Sequence, residues 1–137
     1  MSLLPQFTGA LHVDVPAGGR AISAYALGVV VGAPVLAMLG AAWRRRTFLA
    51  ALMVVYAIAN VASAFAPTFG VFAALRFVAG LPHGAYFGVA CLFASSLVPE
   101  AERARATARV MLGFTIGTIV GVPLAATLGR SLDWRWA

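Results

Sequence analysis

Arg76 is the one charge inside an otherwise uncharged run from Val71 to Val98. A charge at mid-bilayer costs about 2.5–3.5 kcal/mol on insertion scales, so such residues usually face a cavity or a partner. Snorkelling is the other outcome. Arg76 lies five residues past Val71, about 7–8 Å along a helix rising ~1.5 Å per residue, and its aliphatic stem could carry the guanidinium to the interface. Position alone leaves both readings open.

Around Arg76 the sequence places small residues at four-residue intervals. Gly80, Gly84 and Gly88 share its helix face; Gly113, Gly117 and Gly121 form a second stripe, and Gly28 with Gly32 a third. Such stripes let helix backbones approach closely, which is how membrane helices associate. They specify either a tight static bundle or smooth faces along which helices rock during transport. Pro34, Pro82 and Pro123 each remove a backbone hydrogen bond and crowd the carbonyl four residues earlier, at Val30, Val78 and Ile119, so each is a kink candidate.

The remaining polar residues of the apolar runs include Tyr25, Asn60, Ser63, His83, Tyr86, Thr115 and Thr118. Tyr25, Asn60 and His83 are candidates for a polar cavity. His83 either titrates near neutral pH or makes a hydrogen bond between helices. Other chemistries lack their parts. Two histidines and one cysteine, Cys91, are scattered and offer no metal-ligand spacing. Ser95-Ser96 has no base nearby, so nucleophilic catalysis is unsupported. No glycine-rich phosphate loop is present, and nothing calls for a cofactor. All four acids, Asp14, Glu100, Glu102 and Asp133, fall outside the apolar runs. The pattern is not that of an enzyme.

Four elements must position these residues: 21–42, 47–66, 71–98 and 110–129, of 22, 20, 28 and 20 residues. A hydrocarbon core about 30 Å thick needs about 20 helical residues, and in lipid the backbone must satisfy itself within each segment. The expected fold is therefore all-α and integral to a membrane. Composition agrees: 62% of residues are hydrophobic and 10% charged, against about 45–50% and 25% in soluble domains. The net charge of +6 does not indicate nucleic acid, because the arginines flank apolar runs instead of striping a polar surface.

The links are short: 43–46, 67–70 and 99–109. Short links make successive spans antiparallel. Arg44, Arg45, Arg46, Arg103, Arg105 and Arg109 then lie on one side, and Arg20, Arg130 and Arg135 on the other. The positive-inside rule puts 43–46 and 99–109 in the cytoplasm, with 1–20, 67–70 and 130–137 outside. The polar opening to Arg20 and the interfacial ending Asp133-Trp134-Arg135-Trp136-Ala137 read as cuts through a larger protein.

The residues also resemble a known family. Ser23-Ala-Tyr-Ala-Leu-Gly-Val-Val-Val-Gly-Ala-Pro-Val-Leu-Ala37, followed by Arg45-Arg46, looks like the second helix and following loop (motif A) of major facilitator superfamily transporters. Their twelve-helix drug:proton antiporters, including arabinose-type and chloramphenicol efflux proteins, are the nearest branch. Arg76-Phe-Val-Ala-Gly80-Leu-Pro-His-Gly84-Ala-Tyr-Phe-Gly88 resembles helix four with motif B. Gly113, Gly117, Gly121 and Pro123 resemble motif C of helix five. Two departures stand out: Ala37 and Ala41 replace the glycine and aspartate of motif A, and Val122 separates Gly121 from Pro123.

The resemblance implies a fragment covering helices two to five, within the N-terminal six-helix bundle of a bacterial inner-membrane transporter. It implies proton-coupled efflux of a small molecule, a drug, sugar or nucleoside, by alternating access. Arg76 and Gly80 would serve proton coupling, with the partner carboxylate in helix one. Gly28, Gly32, Pro34, Gly84, Gly88, Gly113, Gly117, Gly121 and Pro123 would serve packing and hinging, and Arg44–Arg46 would remain of motif A. A small four-helix multidrug transporter acting as a dimer is the main rival, but that class needs a membrane-embedded glutamate, which no span supplies. A non-transport scaffold subunit is the second rival, distinguished by the coding sequence flanking this one.

Overall fold

A computed structural model describes residues 15–131. The expected outer segment up to Asp14 and the tail from Leu132, with Trp134, Arg135 and Trp136, lie outside them. Four long helices follow one another: α1 (Val15–Leu39), α2 (Arg45–Ala64), α3 (Phe69–Ser96) and α4 (Arg103–Ser131). Short 3-10 turns at Gly40–Ala42 and Glu100–Glu102 lead into α2 and α4.

Local chemistry explains several boundaries. Pro67 precedes Thr68, whose extended backbone and hydroxyl cap α3 by accepting from the Val71 N–H at 3.4 Å; threonine is a favoured N-cap. At the far end of α3, Ser95 and Ser96 return their hydroxyls to the Leu92 and Phe93 carbonyls. Pro99 then prevents direct continuation.

Most boundaries fall within about three residues of the sequence reading, and two differ by more. Helix α1 already includes Arg20, and α4 starts at Arg103 instead of Val110. Hydropathy marks where a helix enters lipid, and it is silent about turns that continue into water. Helix α4 has 29 residues, about 43 Å at ~1.5 Å each, longer than the hydrocarbon core. Arg105 and Arg109 therefore ride on its first two turns.

All four helices are long and apolar enough to cross a membrane. Their exposed surface is rich in large apolar side chains, among them Val30, Val54, Ile58, Val61, Ile119 and Val120. Water would penalise such an exterior, whereas lipid chains match it. The buried residues are mostly small or aromatic. Ala21, Ala66 and Phe72 gather near one end; Phe48, Leu52 and Ala85 gather toward the other.

Helix α3 is the hub and touches the other three. Its broadest contact is with α1, although α2 intervenes in sequence. A Cβ added at Gly28 would meet Phe77 and Gly80, one at Gly32 would meet Leu81, and one at Gly84 would meet Val29 and Ala33. Residue numbers rise together along this contact, so α1 and α3 run parallel. The hairpin reading captured chain direction, but helices adjacent in sequence are not the most closely packed ones.

Candidate functional site

Arg76 sits on the third turn of α3, about 10 Å from the Phe69 end by helical rise. Its guanidinium reaches across to α2. Nη2 donates to Asn60 Oδ1 at 2.5 Å and to Ser63 Oγ at 3.4 Å. The Cζ atom lies 5.7 Å from the Phe72 ring centroid and 6.0 Å from that of Tyr25 on α1, within cation–π range. Arg76 is therefore held within the bundle by partners on α1 and α2.

The partners are themselves pinned. Asn60 Nδ2 donates to the Tyr56 carbonyl at 2.8 Å, and Ser63 Oγ donates to the Ala59 carbonyl at 2.7 Å. Ser63 is 3% exposed and is the single buried polar residue among those described. Both groups holding Nη2 are neutral. Arg76 Nε is buried and has no hydrogen-bond partner among the described residues. A buried donor on a charged group without an acceptor is costly, and this one belongs to a cation suited to receive a carboxylate edge-on.

One turn further on, Gly80 meets Gly28. A Cβ on Gly80 would lie 3.0 Å from Gly28 Cα and closer still to the Tyr25 carbonyl. Gly32 and Gly84 continue the same interface. The close approach brings Tyr25 beside both Arg76 and His83. His83 lies 5.7 Å from the Tyr25 ring, 6.2 Å from Tyr56 and 5.3 Å from Phe87, centroid to centroid. Its contacts are with rings, and it makes no hydrogen bond among the described residues.

A cavity of about 380 Å³ opens between α2, α3 and α4. His83, Tyr56, Tyr86 and Thr118 supply its polar lining, and Phe87 and Phe114, 4.7 Å apart in an edge-to-face pair, form part of its apolar wall. Pro82, fully buried in α3, also lines it.

The predicted residues thus divide. Tyr25, Asn60 and Arg76 form one cluster, Gly28, Gly32, Gly80 and Gly84 form the α1–α3 contact, and His83 joins the cavity. Gly88, Gly113, Gly117 and Gly121 have open space where a Cβ would stand, so they do not bring helices together within 15–131; Gly117 and Gly121 line the cavity instead. Pro34 and Pro123 are exposed within uninterrupted helices. Arg44, Arg45 and Arg46 are exposed at the other end of the bundle. There Arg45 Nη1 donates to the Leu92 carbonyl at 3.3 Å, tying the start of α2 to the last turns of α3.

Two contributors escaped the sequence reading. Tyr56 was not singled out, and Ser63 was seen only as one polar residue among several. The signal lay in Tyr56, Asn60 and Ser63 at intervals of four and three, which puts them on one helix face.

Four membrane-crossing helices holding a cation between them, with a separate cavity lined by aromatic rings, make this a polytopic membrane protein. The chain matches the Major Facilitator Superfamily over residues 1–137. It belongs to that family, which comprises transport proteins and not enzymes. It is 42% identical over 135 residues to the inner membrane transport protein YdhP of Escherichia coli strain K12, covering 98% of this chain and 35% of that protein. It is 32% identical over 136 residues to the putative transporter AraJ of the same strain, covering 99% and 34%. It is 36% identical over 127 residues to a chloramphenicol efflux pump of Mycobacterium tuberculosis strain H37Rv, covering 93% and 31%. The chain spans about a third of the length of these relatives. No solved structure matches it significantly.

Proposed function

We propose that this chain is part of a proton-coupled efflux transporter of the bacterial inner membrane, moving a small molecule outward by alternating access. The observation that carries the reading is Arg76: a cation fixed inside the bundle by neutral groups, with its Nε aimed at no acceptor within residues 15–131. An acidic side chain from elsewhere in the whole transporter completes the pair. Its protonation weakens the pair and its ionisation restores it, which links proton movement to helix arrangement. A relative named as a chloramphenicol efflux pump supports the outward direction, and drugs, sugars and nucleosides are the candidate substrate classes.

In this reading the arginine-bearing links 43–46 and 99–109 face the cytoplasm. Gly113, Gly117, Gly121 and Pro123 give α4 a bending face that other helices of the transporter meet. Gly28, Gly32, Gly80 and Gly84 let α1 and α3 move as one body, because their backbones touch with no side chain between them.

The test is pH-gradient-driven efflux by the whole transporter in everted vesicles, with chloramphenicol as the first probe of a panel of drugs, sugars and nucleosides. Arg76→Ala is expected to lower efflux at least about tenfold, the scale of one lost charged hydrogen bond, and Arg76→Lys to retain part of it. Undiminished efflux by the alanine variant removes the coupling role.

A further inference from the structure

The α2 side chains that hold Arg76 are oriented before it arrives. The Nδ2 of Asn60 is spent on the Tyr56 carbonyl, so the amide presents Oδ1 toward α3. The hydroxyl proton of Ser63 is spent on the Ala59 carbonyl, so that oxygen too faces Arg76 as an acceptor. Each residue gives its donor to its own helix and its acceptor to the guanidinium. Neither an amide nor a hydroxyl titrates in the physiological range. The strength of this cradle is therefore independent of pH.

The other groups facing Arg76 are Tyr25 from α1, Tyr56 from α2 and the Phe72 ring from α3 itself, and both tyrosines act electrostatically on the guanidinium. Tyr56 lies one turn from Asn60 on α2. Helix α4 makes no hydrogen bond or ring contact with the guanidinium among the described residues, and the acidic residues there, Glu100 and Glu102, are exposed in the turn before α4. Arg76 thus has a neutral grip on one nitrogen and a buried, unpartnered Nε on the adjoining edge.

We infer that Asn60, assisted by Ser63, is the resting partner that retains Arg76 within the span whenever its acidic partner is protonated. It is a positioning residue for the coupling step, and the inference rests on the coupling role proposed above. The physical basis is a ranking of acceptors. An ionised carboxylate offers the guanidinium an opposite charge and two parallel hydrogen bonds, which a single amide oxygen cannot match, so it commands the guanidinium when charged. Once protonated it no longer outcompetes Oδ1, and Arg76 settles on Asn60 instead of snorkelling out. An ionised carboxylate at position 60 would hold Arg76 against the acidic partner.

The whole transporter, labelled with ¹⁵N-arginine in lipid nanodiscs, tests this without a transported substrate. The Arg76 signals are assigned by their loss in Arg76→Lys. The wild type is expected to show an Nε signal that changes between pH 5 and 8.5, with hindered Nη2 rotation at the acid end. In Asn60→Leu, Nη2 rotation at the acid end should be about tenfold faster, with the alkaline spectrum unchanged. Asn60→Asp, which keeps the side-chain shape if the leucine variant misfolds, should show hindered rotation and an unchanging Nε signal at every pH where the introduced carboxylate is ionised. Wild-type rotation rates in Asn60→Leu at acid pH overturn the proposal, as does a wild-type Nε signal that ignores pH. If the spectra behave as expected while Arg76→Ala exports normally, the cradle stands and the coupling function fails.

Discussion

Gly28 and Gly80 meet backbone to backbone: a Cβ on Gly28 would lie 3.1 Å from Gly80 Cα and nearer still to the Phe77 carbonyl. The obstacles are main-chain atoms of a helix, which cannot swing aside as a flexible side chain can. Substituting alanine at either position should force α1 from α3 and destabilise the bundle by about 1–3 kcal/mol, the usual scale of overpacking. Gly88→Ala, where the added methyl meets open space, is the control and should be neutral or gain up to about 1 kcal/mol in helix propensity. Reversible unfolding in mixed micelles measures both.

Arg76 and Asn60 should show energetic coupling. In a double-mutant cycle with Arg76→Met and Asn60→Leu, the interaction is expected at about 1–2 kcal/mol, toward the upper end for hydrogen bonds between membrane helices. Each single variant leaves a polar partner stranded, so the double variant should be more stable than the sum of the singles implies. Strict additivity would mean the 2.5 Å contact contributes nothing to folding.

His83 touches rings and makes no hydrogen bond among the described residues. His83→Phe should therefore keep stability within about 1 kcal/mol of wild type, as volume-conserving swaps do. His83→Ala should cost more, because three aromatic contacts worth about 0.5–1.5 kcal/mol each are lost together. Comparing the two melting curves separates ring packing from hydrogen bonding.

The proposed orientation predicts a labelling pattern. In a Cys91→Ser background, a cysteine at Ala101 should react with a membrane-impermeant maleimide only from the cytoplasmic side, and one at Thr68 only from the outside. Replacing Arg44, Arg45 and Arg46 by glutamine should blur that preference, since loop arginines set orientation. The reverse pattern in the unaltered loops would invert the topology.

The number of spans and the prominence of Arg76 were legible in the sequence because both follow from the cost of charge in lipid, which any long apolar run reveals. The partner of Arg76 was not. The distance to the interface permitted snorkelling, and only the approach of α2 places Asn60 and Ser63 within reach. The glycine stripes were equally visible, but periodicity gives a face without naming the neighbour. Gly28 and Gly32 find α3, whereas Gly113, Gly117 and Gly121 find open space within residues 15–131. The start of α4 was misplaced because Arg103, Arg105 and Arg109 are polar yet helical, a combination that hydropathy assigns to a loop.

The neutrality of the Asn60–Ser63 cradle has an electrical side. An ion pair buried in a membrane carries no net charge, so a uniform field exerts no net force on it. Arg76 in its cradle is a whole positive charge, and a transmembrane voltage pulls on it directly. One elementary charge crossing the full thickness exchanges about 2.3 kcal/mol per 100 mV, so displacement by a third of that depth corresponds to roughly 0.8 kcal/mol. The arginine proposed to answer to protons is thereby exposed to the membrane potential.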